Sequence, residues 1–371
     1  MKKLGFGCMR MPLLDAEDQT SVDFEQVCQM VDTFLERGFT YFDTAYMYHK
    51  YASERVVKEA LVKRHARDSY TLATKLPTMF LKEEGQQEQI FEEQMEKCGV
   101  DYFDYYLLHN LNQANYETAR KFDSFAFVQK KKEEGRVRQF GFSFHDTAEV
   151  LDQILTEHPE VDFVQLQINY LDWENERIQS GKCYETAVKH GKKVIVMEPV
   201  KGGKLAKLPE EAEKLLLGAH PDWTVPSWGI RFAASLPEVM VVLSGMSNME
   251  QMLDNTGYMQ EFELLTEADQ QIVKEAAEII RNAIAIPCTE CRYCVEGCPA
   301  QIEIPALFNL YNAENQALNR GYSTQKENYA KQTESGGKAS ECVECGQCED
   351  ACPQHIQIRD WMKEITQMFE A

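Results

Sequence analysis

The chain lacks any hydrophobic run approaching the roughly 18 apolar residues of a membrane span. Its first residues, Met1-Lys2-Lys3 followed by Leu4 to Pro12, offer no apolar core for a secretory signal. These absences place it, as an expectation, in the cytoplasm, a reducing compartment, with no membrane partner. Positive charge is scarce: 39 Lys and Arg face 60 Asp and Glu, for a formal charge of −21. Such a surface repels nucleic-acid phosphates and anionic headgroups, so no nucleic acid is expected as a partner, while a basic redox partner protein stays open. No G-x-G-x-x-G opens a helix after a strand, which argues against a doubly wound dinucleotide fold. Gly5-Phe6-Gly7 lacks the third glycine.

Cysteine, by contrast, is abundant, with 12 residues. Eight fall into two copies of one pattern, Cys288-x2-Cys291-x2-Cys294-x3-Cys298-Pro299 and Cys342-x2-Cys345-x2-Cys348-x3-Cys352-Pro353. Each iron of a four-iron cluster needs one protein thiolate besides its bridging sulfides, and this spacing suits two [4Fe-4S] clusters. It is not a zinc-ribbon pattern, and disulfides are disfavoured where thiols stay reduced. The fourth cysteine of such a motif reaches the other cluster. The expected sets are therefore Cys288, Cys291, Cys294 and Cys352, and Cys342, Cys345, Cys348 and Cys298. Cys8, Cys28, Cys98 and Cys183 are scattered and read as small hydrophobes. The C-terminal quarter resembles bacterial-type two-cluster ferredoxin domains, especially the helical kind fused to oxidoreductases.

Upstream, eight apolar runs recur between amphipathic stretches: Leu4–Met9, Thr40–Ala45, Thr71–Leu76, Asp104–His109, Gln139–Phe144, Phe163–Asn169, Lys193–Pro199 and Met240–Gly245. Most do not alternate strictly, as befits parallel strands buried on both faces. Helical patterns intervene at Phe24–Arg37, Ser53–Arg64 and Gln87–Lys97. Eight such units over about 280 residues predict a (β/α)8 TIM barrel. The predicted division is a barrel over residues 1–284 and a small, mainly helical two-cluster domain over 285–371, with helices at Ile304–Ala317 and Ile358–Phe369.

The ends of the second, third and fourth runs carry Phe42-Asp43-Thr44-Ala45-Tyr46-Met47-Tyr48, then Ala73-Thr74-Lys75, then Leu107-Leu108-His109. A barrel gathers its catalytic groups at strand C-termini. A carboxylate, phenol, amine and imidazole converging there suit proton transfer to a carbonyl oxygen, with a nearby Lys⁺ lowering the phenol's pKa. Here the sequence resembles the aldo-keto reductase family, over about residues 1–260. The resemblance implies hydride transfer from a nicotinamide to a small carbonyl substrate, or from an alcohol, with Tyr48 donating the proton, Lys75 and Asp43 tuning it and His109 orienting the carbonyl.

The same resemblance implies cofactor contacts from Ser143 and Gln165 to the carboxamide, though the Asn usually beside the Ser is Phe144. Met197 replaces the aromatic that stacks on the nicotinamide, and Pro199-Val200-Lys201-Gly202-Gly203-Lys204 fits the pyrophosphate loop. Asp254 and Asn255 match the adenine contacts. The Lys and Arg that grip the 2′-phosphate correspond to Gly245 and Gln251, which favours NADH over NADPH.

Hydride moves two electrons and a [4Fe-4S] cluster takes one, so a working path between them calls for a flavin. No flavin motif is visible, although the altered barrel mouth has room for the idea. Four readings stand: a reductase carrying clusters, a flavin- or ferredoxin-coupled reductase with the clusters as relay, a non-enzymatic redox-sensing or docking protein, and clusters that only shape the substrate pocket.

Overall fold

The structure, a computed structural model, describes residues 2–16, 18–318, 324–334 and 336–371. Eight parallel strands run β1 (Leu4–Gly7), β2 (Tyr41–Asp43), β3 (Thr71–Leu76), β4 (Phe103–Leu111), β5 (Val137–Phe144), β6 (Phe163–Gln167), β7 (Lys193–Met197) and β8 (Val239–Ser244). They pair in sequence order and close into a barrel through β1 and β8, with Leu4 opposite Val242 and Phe6 opposite Ser244. Each strand overlaps one of the eight apolar runs.

Successive strand residues point alternately into the lumen and toward the helices. The lumen is filled by Tyr41, Ala73, Leu107, Phe163, Ile195, Val241 and Leu243. Room for these side chains comes from glycine on β1 and β5. A Cβ on Gly141 would lie 2.5 Å from the Phe163 ring and 2.6 Å from its carbonyl oxygen. One on Gly5 would lie 2.7 Å from Val241 and 2.8 Å from Leu243.

Outside, amphipathic helices cover the strands. The helix Phe24–Glu36 starts where the Asp23 carboxylate accepts the Gln26 N–H, and it buries Val27, Met30, Val31 and Phe34 at helical spacing. Ser53–Arg64, expected as one helix, is instead an α-helical turn (Ser53–Val57) running into a wider turn (Lys58–Val62). There the Lys63 N–H reaches the Lys58 carbonyl, five residues back, at 2.9 Å.

The chain forms two compact units. One comprises Met1–Asn175, Gln179–Val200 and Pro226–Gln270 and holds the barrel; the other comprises Glu176–Ile178, Lys201–Val225 and Gln271–Ala371. From Gln271 onward no strand occurs among the described residues. Helices Ile304–Leu318, Gln325–Gln332 and Ile358–Phe369 pack around Ile286, Ile302, Leu307, Phe308, Ile356, Met362 and Ile365, with Cys288, Cys294 and Cys352 inside the same apolar cluster. No two cysteines are joined by a disulfide among the described residues. No helix among the described residues is long and apolar enough to cross a membrane.

Candidate functional site

In the barrel unit, Asp43 ends β2, Lys75 is the penultimate residue of β3, and His109 lies near the end of β4. The Lys75 Nζ donates to Asp43 Oδ1 at 2.5 Å, to the Thr44 carbonyl at 2.9 Å and to the Tyr48 hydroxyl at 3.4 Å. Lys75 is 1% and Asp43 2% exposed, so the ion pair is held away from water. The His109 ring stands edge-on to Tyr48 with centroids 6.0 Å apart. Tyr48 itself opens a turn that is not right-handed: His49, Lys50 and Tyr51 have φ of 51°, 49° and 72°. His49 fastens this turn, its ring nitrogens 2.9 Å from the Gln19 carbonyl and 3.1 Å from the Cys8 carbonyl.

Burial governs the protonation of these groups. It pushes the Tyr48 phenol well above its usual range, helped by the Asp43 charge. The Lys75-driven lowering that the sequence suggests is therefore not what this geometry produces. Tyr48 keeps its proton at neutral pH. Burial, then the charge of Lys75, holds His109 well below the usual imidazole value, so its ring is neutral. Burial also raises Asp43, against the opposing pull of Lys75. Asp43 Oδ2 and His109 Nδ1 are buried without a hydrogen-bond partner.

A second layer supports Lys75 from behind. Gln94 Nε2 donates to the Lys75 carbonyl at 3.0 Å and to Glu54 Oε1 at 2.8 Å, while Tyr106 donates to Gln94 Oε1 at 2.6 Å. Glu54 also accepts from Thr74 Oγ1 at 2.7 Å. Glu54, Thr74 and Gln94 are each 0% exposed. Burial pushes the Glu54 carboxyl up to about 7. Glu54 directly follows the Tyr48 turn's exit at Ser53, but nothing in the sequence ties it to Gln94 or Tyr106.

The residues matched to cofactor contacts have varied surroundings. Gln165 is 1% exposed and its Oε1 has no hydrogen-bond partner, a buried acceptor that a ligand amide would satisfy. Ser143 Oγ accepts the Asn110 N–H at 2.8 Å and keeps its proton to donate. Met197 is half-buried at the end of β7. Asn255 uses its amide within the barrel, Nδ2 to Ser244 Oγ at 2.8 Å and Oδ1 from Tyr258 at 2.9 Å; Asp254 beside it is half-buried. Arg10, in the short 3-10 turn Cys8–Arg10 that follows β1, lies over Gly245: a Cβ there would come within 3.2–3.4 Å of its aliphatic carbons. Gly202 and Gly203 have φ of 63° and 94°. Lys201 Nζ donates to Gln354 Oε1 at 2.9 Å, and Lys204 Nζ donates to Asn309 Oδ1 at 2.8 Å and pairs with Glu290. Both ammonium groups are thus directed at residues of the second unit, to which they belong.

In that second unit, Cys298, Cys342, Cys345 and Cys348 line a single cavity with Ile302, Ile304 and Met362. Burial raises the Cys288 and Cys294 thiols; Cys352 lies close enough to Cys288 to add to the rise there, and Cys291, Cys288 and Cys352 close enough to Cys294 to do the same. Four thiols around a cavity fit a cluster's chemistry. A single ion demands tighter convergence, and no three His, Cys, Asp or Glu side chains among the described residues converge so.

Residues 3–278 match the model of the aldo/keto reductase family, and residues 287–356 match the model of a 4Fe-4S dicluster domain. No curated protein matches the chain. Among solved structures, the holo form of an aldo-keto reductase from Bacillus halodurans is 25% identical, with a TM-score of 0.58, over 74% of this chain and 91% of that one. An aldo/keto reductase from Klebsiella pneumoniae in complex with NADP and acetate is 18% identical (TM-score 0.57; 74% of this chain, 90% of that one). One from Brucella melitensis is 20% identical (TM-score 0.56; 74% and 92%). The last two likenesses attest the fold alone.

Proposed function

The chain belongs to the aldo/keto reductase family, and on that premise we propose that its barrel interconverts a small carbonyl compound and the corresponding alcohol with Tyr48 as the proton donor. The chain is an oxidoreductase with an iron–sulfur domain. The observation that carries the proposal is the Lys75 ammonium, bridging the Asp43 carboxylate and the Tyr48 hydroxyl. A bound reduced nicotinamide would supply hydride to the carbonyl carbon. Tyr48 gives its proton to the carbonyl oxygen as negative charge builds there. The Lys75 charge, 3.4 Å away, stabilises the phenolate left behind. Asp43 holds that charge in place, and the neutral His109 ring orients the carbonyl. In the alcohol direction Tyr48 takes the proton back.

Ser143 and Gln165 are the residues for the nicotinamide carboxamide, with Met197 against the ring, Gly202 and Gly203 at the pyrophosphate, and Asp254 and Asn255 at the adenine. The missing cations at Gly245 and Gln251 favour NADH over NADPH, since each lost charge-assisted contact is worth about 1.5–3 kcal/mol. Residues 1–284 form the catalytic domain and 285–371 the cluster domain in this reading. Clusters bound by Cys288, Cys291, Cys294 and Cys352, and by Cys342, Cys345, Cys348 and Cys298, would supply one-electron chemistry. They serve a redox partner protein, or a flavin if one links them to the barrel; without either they shape the structure.

The test uses anaerobically purified protein and NADH-dependent reduction of 4-nitrobenzaldehyde as a probe. Tyr48→Phe lowers kcat by about 10²–10⁴ while NADH binding by fluorescence is unchanged. Turnover within twofold of the parent protein rules out Tyr48 as the donor.

A further inference from the structure

Lys201 and Lys204 stand where the family resemblance expects cations for a pyrophosphate, yet their partners surround one of the two thiol sets. Lys201 is 2% exposed and hydrogen-bonded to Gln354, itself 4% exposed and two residues beyond Cys352. The chain turns tightly there, with the His355 N–H on the Cys352 carbonyl at 3.0 Å. On the other side of the set the Glu290 N–H donates to Cys288 Sγ at 3.4 Å. Glu290 pairs with Lys204, whose charge it offsets. Cys288, Cys294 and Cys352 are 8–9% exposed and lie in the apolar cluster of this unit. The second set differs: Cys345 is exposed, and the carboxylate beside Cys348, Glu349, is tied up by Arg359.

A four-iron core with four thiolates is net negative and gains one more negative charge on reduction. Apolar burial disfavours that gain and lowers the potential, whereas a nearby cation and N–H groups directed at sulfur raise it. The buried set is the one that most requires compensation, and Lys201 serves it; at the second set the cation lining the cavity, Arg359, is paired with Glu349.

We propose that Lys201 is a potential-setting residue for the cluster held by Cys288, Cys291, Cys294 and Cys352, its ammonium counteracting the burial of that site. The inference rests on the two-cluster reading. It reassigns a loop cation from gripping phosphate to setting the electron affinity of one cluster.

The experiment is a potentiometric titration of the full-length, anaerobically purified protein, followed by electron paramagnetic resonance with dithionite as reductant. Lys201→Gln removes the charge and keeps a hydrogen-bonding group for Gln354. At the parent midpoint, the reduced-to-oxidised ratio of one cluster falls at least tenfold, equivalent to about 59 mV for one electron. The other cluster is unmoved, and Lys201→Arg restores the first. Lys201→Met supplies the same charge removal should the glutamine variant bind iron incompletely. With both clusters intact, midpoints that stay put or move together overturn the inference. Parent protein with well under about eight irons per chain instead refutes the two-cluster reading itself.

Discussion

Glu54 offers a perturbation whose size and sign both follow from the structure. Its carboxyl is 0% exposed and accepts from Thr74 and Gln94, while its second oxygen has no hydrogen-bond partner. Lys97 eases its ionisation and Glu93 opposes it, but burial dominates and moves it from 4.5 to about 7. A raised carboxyl binds its proton more tightly in the folded chain than in the unfolded one. Stability from this site is therefore complete below pH 4.5, falls as pH rises through the interval, and is lost above about 7. At about 1.36 kcal/mol per unit the loss is about 3 kcal/mol. Glu54→Gln removes the titration, keeps an acceptor for Thr74 and Gln94, and places an amide where the proton was. The variant should match the parent near pH 4.5 and exceed it at pH 8 by up to about 3 kcal/mol. In a barrel of this size that is a melting-temperature gain of about 6–12 °C. Anaerobic thermal and urea unfolding at both pH values provides the measurement. Equal pH slopes for parent and variant would show that Glu54 is already ionised in the fold, and the reasoning from burial would fail.

Two further outcomes follow from packing and charge. Asp43→Asn leaves the Lys75 ammonium buried among neutral acceptors with no counter-charge, and should cost about 3–5 kcal/mol in urea unfolding. Asp43→Leu with Lys75→Met should recover most of that loss while reductase turnover stays absent; a double variant no more stable than the single one contradicts the ion-pair argument. Gly141→Ala sets a methyl 2.6 Å from the Phe163 carbonyl oxygen, which cannot rotate away. It should lower stability by at least the ~1–3 kcal/mol of core overpacking, and an unchanged melting temperature would falsify the lumen packing described.

The barrel was legible because strands buried on both faces write themselves as apolar runs, and each of the eight runs overlaps a strand. The positions of Asp43, Lys75 and His109 at or near the ends of β2, β3 and β4 were legible by the same token. Helix Ile358–Phe369 was readable to its residue bounds, its buried positions Ile358, Met362, Ile365 and Phe369 recurring at helical spacing. The widened turn at Lys58–Val62 was not, since its apolar spacing is that of an ordinary helix. Gln94 and Tyr106 support Lys75 through single hydrogen bonds between separate elements, a pairing that leaves no periodic trace. The destination of Lys201 was hidden for a related reason: its partner Gln354 lies 153 residues away, and two lysines flanking glycines suit a phosphate as well as an amide. The protonation of Tyr48 depends on burial, which spacing alone does not measure.

The left-handed run from His49 to Tyr51 carries a consequence for how this site evolves. Three side-chain-bearing residues hold a conformation that glycine adopts without penalty, at about 1–3 kcal/mol each for the others. Selection for a sturdier fold would favour glycine at Lys50 and Tyr51. If Tyr48 is the acid proposed above, selection for its placement would resist that change, because the same stiffness holds Tyr48 beside Lys75. The turn is a point at which robustness and chemical accuracy pull on the same residues in opposite directions.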